Sequence, residues 1–384
     1  MFARRTRWEL TPNRFSAALE RARASGKQLL DLTESNPTRV GLRYPDGWLQ
    51  ALADPAGLQY QPDARGTPGA REAVAGYYRE LGVEVPTDAI FLTTSTSEAY
   101  SFLFRLLCDP DDQVLTGAPS YPLFDFLASI QDVELVSYPL LYDHGWQIDL
   151  HSVGQRMGPR TRAVLLVNPD NPTGSYVKAG ERDRLNEMCA PHGLAVIADE
   201  VFLDYGVDGR PPVTFAGNQD ALTFTLSGLS KVAALPQVKL SWMVVSGPKA
   251  ARDEALRRLE VIADAYLSVS TAVQLATPKL LAERSQVQEQ IKGRVRENLA
   301  ELDRQVGSRK ECSRLQVEGG WYAVLRVPVT GSDEELAVRL LETAGLIVHP
   351  GHFYDFPSEG YLVLSLISRP QVMREGLQRL LTSL

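Results

Sequence analysis

Cysteine is scarce in this chain of 384 residues: three stand far apart, at Cys108, Cys189 and Cys312. No CxxC pair occurs, so neither a disulfide framework nor a metal site is expected, and free thiols in a reducing compartment are. Long hydrophobic runs are missing too, and none approaches the roughly 20 residues that cross a bilayer. The basic start Met1-Phe2-Ala3-Arg4-Arg5-Thr6-Arg7 has no apolar stretch behind it before Glu9 and Arg14, which speaks against a secretory signal and for the cytoplasm. Positive charge is not in excess, since 40 Lys and Arg face 47 Asp and Glu for a net charge of −7. A nucleic-acid backbone binder needs clustered cations and is disfavoured, whereas a local pocket for a small anion is not. No strand–GxGxxG–helix turn is present, which discounts a dinucleotide site. Internal repeats and low-complexity segments are also lacking.

What is present is the composition of a globular protein, 44% hydrophobic and 23% charged residues, at a length that suggests a large domain plus a smaller one. Residues 15–24 read as a short helix, and 28–33 as an apolar run entering the turn Ser35-Asn36-Pro37-Thr38. Ala73, Val74, Tyr77, Tyr78 and Leu81 recur at helical spacing over 69–81. A regular alternation follows. Strands are expected at 89–93, 113–116, 133–138, 163–167, 194–198 and 223–226, with helices at 97–107, 122–131 and 180–190. Short apolar strands alternating with helices predict an α/β fold, with a mainly parallel sheet covered on both faces. The residues just beyond the strands are then where chemistry belongs. Further on, 273–305 reads as one or two helices, 321–327 and 361–366 as strands, and 333–344 as a helix. The expected division is a large cofactor-binding domain over 46–270 and a smaller α+β domain built from 1–45 and 271–384.

Four motifs carry the chemistry. In Ser227-Gly228-Leu229-Ser230-Lys231 a lysine follows an apolar strand and a Gly/Ser turn, where an amine can form a Schiff base with a carbonyl cofactor; alone, the signal is weak. In Val196-Ile197-Ala198-Asp199-Glu200 a carboxylate ends a buried strand, where it can keep a pyridinium nitrogen protonated or simply cap a helix. Asn168-Pro169-Asp170-Asn171-Pro172-Thr173-Gly174 is a turn whose prolines pre-set the backbone, suited to holding an amide in one direction. Leu92-Thr93-Thr94-Ser95-Thr96-Ser97-Glu98 runs from strand to helix and offers hydroxyls and free N–H groups to an anion, or a plain helix cap at Thr96 or Ser97.

Taken together, in this order and from about Leu30 to Leu380, these motifs resemble fold-type I pyridoxal-phosphate enzymes of the class I/II aminotransferase, aspartate-aminotransferase-like, group. The resemblance implies a large domain with a seven-stranded-type sheet and a smaller α+β domain. It implies pyridoxal 5′-phosphate as cofactor, an amino donor and an oxo acceptor as substrates, and a homodimer with shared active sites. Lys231 matches the Schiff-base lysine that also carries the proton between Cα and the cofactor. Asp199 matches the partner of the ring nitrogen, Asn171 that of the phenolic oxygen, and Tyr121 the ring-stacking aromatic. Thr96 and Ser97 match the phosphate turn, and Tyr60 a tyrosine reaching the neighbouring subunit's phosphate.

The chain also departs from that pattern. Phe202 stands where a tyrosine often contacts the phenolic oxygen, and Lys239 where an arginine pairs with the phosphate. Gly228 stands where a hydroxyl is usual, with Ser227 or Ser230 as substitutes. Val363 occupies the place of the arginine that clamps the substrate α-carboxylate. Arg39, Arg65 or Arg369 are candidate replacements, with Ser35, Asn36, Asn171 and His352 as further substrate contacts; His349 is a weaker candidate. Trp321 and Tyr322 are candidate walls of the substrate pocket. Two rivals remain: a lyase, decarboxylase or cyclising synthase on the same cofactor, and a non-catalytic binding or regulatory protein. Regulators of this type usually carry an added DNA-binding domain, for which there is no room before Leu30.

Overall fold

A computed structural model describes residues 1–209, 213–307 and 309–384. Its centre is one eight-stranded sheet, ordered Ile90–Thr93, Ser241–Ser246, Thr223–Gly228, Ala195–Asp199, Thr161–Val167, Gln113–Ala118, Glu134–Tyr142, Trp146–Ile148. The four central pairings are parallel, while Ser241–Ser246 runs against both of its neighbours. A sheet of the seven-stranded type was expected; the eighth strand, Trp146–Ile148, is three residues turned back antiparallel on Glu134–Tyr142.

The strands are buried because helices cover both faces. In Ala195–Asp199 every residue is buried, with Ile197 in one apolar cluster and Val196 and Ala198 in the other, as the two-residue period of a strand dictates. The helix Thr96–Leu107 lies on the first face and buries Ala99, Tyr100, Phe102, Leu103 and Phe104. Thr271–Ala282 and Ser285–Val306 are two helices, parted at Glu283 and Arg284.

Two smaller sheets complete the molecule. Four antiparallel strands are ordered Ser313–Arg314, Tyr322–Arg326, Tyr361–Ser365, His349–Pro350. Leu30–Asp31 pairs in parallel with Leu346–Ile347, which joins the N-terminal stretch to the C-terminal part. Among the described residues no helix is long and apolar enough to cross a membrane.

Candidate active site

Register brings the chemistry together. Val167 pairs with Asp199, and Asp199 with Leu226, so the residues that follow three neighbouring strands emerge side by side. Those residues are the 168–174 loop, the Asp199 carboxylate and the turn that carries Lys231.

Lys231 lies in the four-residue helix Leu229–Val232. In so short a helix backbone N–H groups reach the carbonyls of Leu229 and Lys231, and side chains from three distant segments supply further donors around the turn. The Tyr205 hydroxyl donates to the Lys231 carbonyl at 2.5 Å, the Gln288 amide to that of Val232 at 2.8 Å, and the Tyr44 hydroxyl to that of Ala234 at 2.9 Å. The amine itself makes no hydrogen bond among the described residues. It rests 4.9 Å from the ring centre of Trp321 and 5.4 Å from that of Phe202. Burial pushes its pKa down to about 8, partly opposed by the Asp199 carboxylate.

Asp199 is 6% exposed. One oxygen accepts from the Tyr100 hydroxyl at 2.8 Å and the other from the Val201 N–H at 3.1 Å. Burial pushes its pKa up to about 6 despite those two donors. The 168–174 loop is held by its own network: the Asp170 carboxylate accepts from the hydroxyl and N–H of Thr173, and Asn168 accepts from the Val177 N–H and donates to Glu200. Gly174 takes φ +71°, and a Cβ there would fall 2.5 Å from the Gly319 carbonyl oxygen, so only glycine closes the loop. Asn171 is left over. Its buried Oδ1 has no partner, an unfilled requirement for a polar group. Tyr121 is 40% exposed and meets Phe124 edge-on at 5.8 Å.

At the anion turn the cap is Ser95, whose side chain accepts from the Glu98 N–H; the sequence had suggested Thr96 or Ser97. Thr96 and Ser97 are thereby the first residues of the helix, and their N–H groups have no partner among the described residues. The Thr94 N–H is taken by Glu98. Gly228 pairs with Ser241, which pairs on its other side with Thr93. A Cβ at position 228 would lie 2.8 Å from the Ser241 Cβ and closer still to its hydroxyl, so Ser241 fills the space where a side chain at 228 would stand. Ser227 is the poorer substitute, since it is buried and its hydroxyl donates to the Glu200 carbonyl at 3.4 Å. Ser230 is half-buried, and Lys239 is exposed with φ +60°. Tyr60 is 79% exposed, on the surface near Ser268 and Gln274 rather than at Lys231.

On the substrate side Val363 is 1% exposed and pairs with Val324 and His349. Arg65 is committed elsewhere, donating to the Asp88 carbonyl at 2.5 Å and to Glu260 at 2.7 Å. Arg39 and Arg369 are exposed, and Arg369 flanks Gly41. Ser35 lies against the Tyr322 hydroxyl, while the Asn36 side chain is used locally, accepting from Thr38. His352 is exposed and meets the Phe353 ring edge-on at 4.7 Å, while His349 is half-buried and shares a hydrogen bond with Tyr354. Tyr100, Tyr205, Gln288 and Tyr44 escaped sequence reasoning. Only Tyr100 carried a signal, one helical turn beyond Thr96 on the face turned to the sheet.

These residues suit pyridoxal phosphate. An Asn171 side chain that makes no hydrogen bond among the described residues, so that its N–H groups are free to donate, an amine at Lys231 without a hydrogen bond and a turn with open N–H groups are what its phenolic oxygen, aldehyde and phosphate require. The family model for aminotransferase class I and II matches residues 27–380. Among similar proteins, an alanine aminotransferase of Mycobacterium tuberculosis is 26% identical over 374 residues, covering 94% of this chain and 86% of that protein. A glutamate–pyruvate aminotransferase of Haemophilus influenzae is 24% identical over 369 residues, covering 94% and 91%. The solved structure of an alanine aminotransferase from Pyrococcus furiosus superposes with a TM-score of 0.90 at 21% identity, covering 99% of this chain and 98% of that one.

Proposed function

Because the chain belongs to the class I and II aminotransferases, we propose that it moves an amino group between an amino acid and a 2-oxo acid, with Lys231 as its catalytic amine. The observation that carries this reading is Lys231 itself, an amine brought down to about 8 by burial beside a buried carboxylate. Pyridoxal phosphate, when bound, supplies a carbonyl that takes up the amino group and an electron-poor ring that accepts charge as the α-proton leaves.

The chain's own residues divide the remaining work. Lys231 moves the proton at the substrate Cα, since its pKa near neutrality lets one amine both take and return it. Asp199 holds a proton on the ring nitrogen, and Asn171 donates its amide to the phenolic oxygen. Thr96 and Ser97 offer N–H groups to the phosphate, with Ser230 and Lys239 nearby in sequence as a hydroxyl and a cation. Tyr121 packs on the ring. Trp321 and Phe202 wall the amine and keep water from it.

The assembly is a homodimer in which Tyr60 reaches the partner's phosphate; its 79% exposure here, with Leu58 at 92%, supports a covered surface. Residues 46–270 form the cofactor unit, and 1–45 with 271–384 the smaller one, a division supported by the pairing of Leu30 with Leu346. The protein works in the cytoplasm. Alanine and pyruvate are the first pair to assay, because the relatives' names carry them. Parallel double-reciprocal lines for donor and acceptor are expected, and lines that intersect contradict the reading. The buried Val363, in the place of a carboxylate clamp, is the one observation that favours a second reading, a lyase on the same cofactor.

A further inference from the structure

Tyr100 takes no part in the motifs by which the site was recognised. It sits one turn past Thr96 on the helix Thr96–Leu107, is 1% exposed, and donates its hydroxyl to Asp199 at 2.8 Å. Its ring is fixed by Phe124 at 5.1 Å and Phe104 at 6.1 Å, and Phe124 in turn meets Tyr121 edge-on. One aromatic run therefore connects the helix of the anion turn, the carboxylate at the end of a central strand and the partly exposed ring of Tyr121. The second Asp199 oxygen is held by the Val201 N–H, so each oxygen has one donor and the carboxylate plane cannot turn without breaking a hydrogen bond.

We propose that Tyr100 is a positioning residue, which fixes the plane of the Asp199 carboxylate and keeps it anionic toward the cofactor's ring nitrogen. The inference rests on Asp199 being the partner of that nitrogen. A proton shared between carboxylate and ring settles on the ring only while the carboxylate is the better stabilised anion. Two features bear on that. Burial disfavours the anion, and the Tyr100 hydroxyl is the strongest of the interactions that oppose it. Removing the hydroxyl but not the ring moves the proton back toward Asp199 and leaves the packing in place.

The test uses the full-length protein loaded with pyridoxal phosphate carrying ¹⁵N in its ring. In Tyr100→Phe the ring-nitrogen resonance moves toward its unprotonated position and the dissociation constant for the cofactor rises about 10- to 100-fold. Phe124→Leu, which loosens the packing and spares the hydroxyl, leaves the resonance at its parent position. An unmoved resonance in Tyr100→Phe, or an equal shift in Phe124→Leu, overturns the inference. Asp199→Ala separates the two layers. If it moves the resonance while Tyr100→Phe does not, this inference alone falls; if it too leaves the resonance unmoved, the reading of Asp199 falls with it.

Discussion

Burial penalises the charged form of an amine, and at Lys231 this leaves a pKa of about 8 against an ordinary 10.5. At pH 7 the neutral, nucleophilic fraction is then about one in ten, instead of about one in three thousand. Capture of pyridoxal phosphate by the cofactor-free protein should therefore accelerate about tenfold per unit up to pH 8 and level off above it. A rate that keeps climbing to pH 10 would mean that the amine is not desolvated as described. Lys231, Asp199 and Asn171 were legible in the sequence because each stands at or within a few residues of the end of a buried strand, in a stretch of distinctive composition. Tyr205, Gln288 and Tyr44 were not. Their task is to satisfy the carbonyls of the Lys231 turn, from segments far apart in the chain that only tertiary packing brings together. The commitment of Arg65 was hidden for the same reason, since its partner Glu260 stands almost two hundred residues away.

Among the elements, the strand Ser241–Ser246 does more than extend the sheet. It spaces the Lys231 turn from the anion turn, with Ser241 set between Gly228 and Thr93. Gly228→Ala should cost about 1–3 kcal/mol in stability by overpacking, and the double variant with Ser241→Gly should recover most of it, as read by thermal unfolding. Failure of the second change to rescue would place the strain elsewhere. Gln288→Leu should cost about 1–3 kcal/mol, since it strands a buried carbonyl under the catalytic turn; calorimetry of the cofactor-free protein measures it, and a neutral result would mean that the carbonyl finds another partner. The strand was not read from the sequence, because its apolar run 242–245 is too short to reveal a period and follows an irregular stretch. The helices 97–107 and 180–190, by contrast, were expected within a residue of Thr96–Leu107 and Ala179–Cys189, the first because an amphipathic pattern over three turns leaves little freedom.

At the scale of the whole molecule, alternation of strand and helix made the α/β architecture legible, while the three-residue strand Trp146–Ile148 and the pairing of Leu30–Asp31 with Leu346–Ile347 were not. Two-residue pairings across three hundred residues leave no local trace. Assembly is the next level. Tyr60→Phe should weaken cofactor binding about tenfold, as loss of one hydrogen bond to a phosphate does. In hybrids with Lys231→Ala chains, the site that keeps Lys231 should regain parent affinity, because its Tyr60 then comes from the partner. No regain would place Tyr60 outside the neighbouring site. The central claim, transamination through Lys231, is tested most directly by a single turnover: cofactor-loaded protein mixed with alanine and no acceptor, followed by absorbance. The account predicts that the bound cofactor converts to its amine form, that pyruvate appears in equal amount, and that added 2-oxo acid reverses the change. A cofactor that returns to its starting spectrum unaided while product accumulates would contradict it, and would make this fold the site of a lyase.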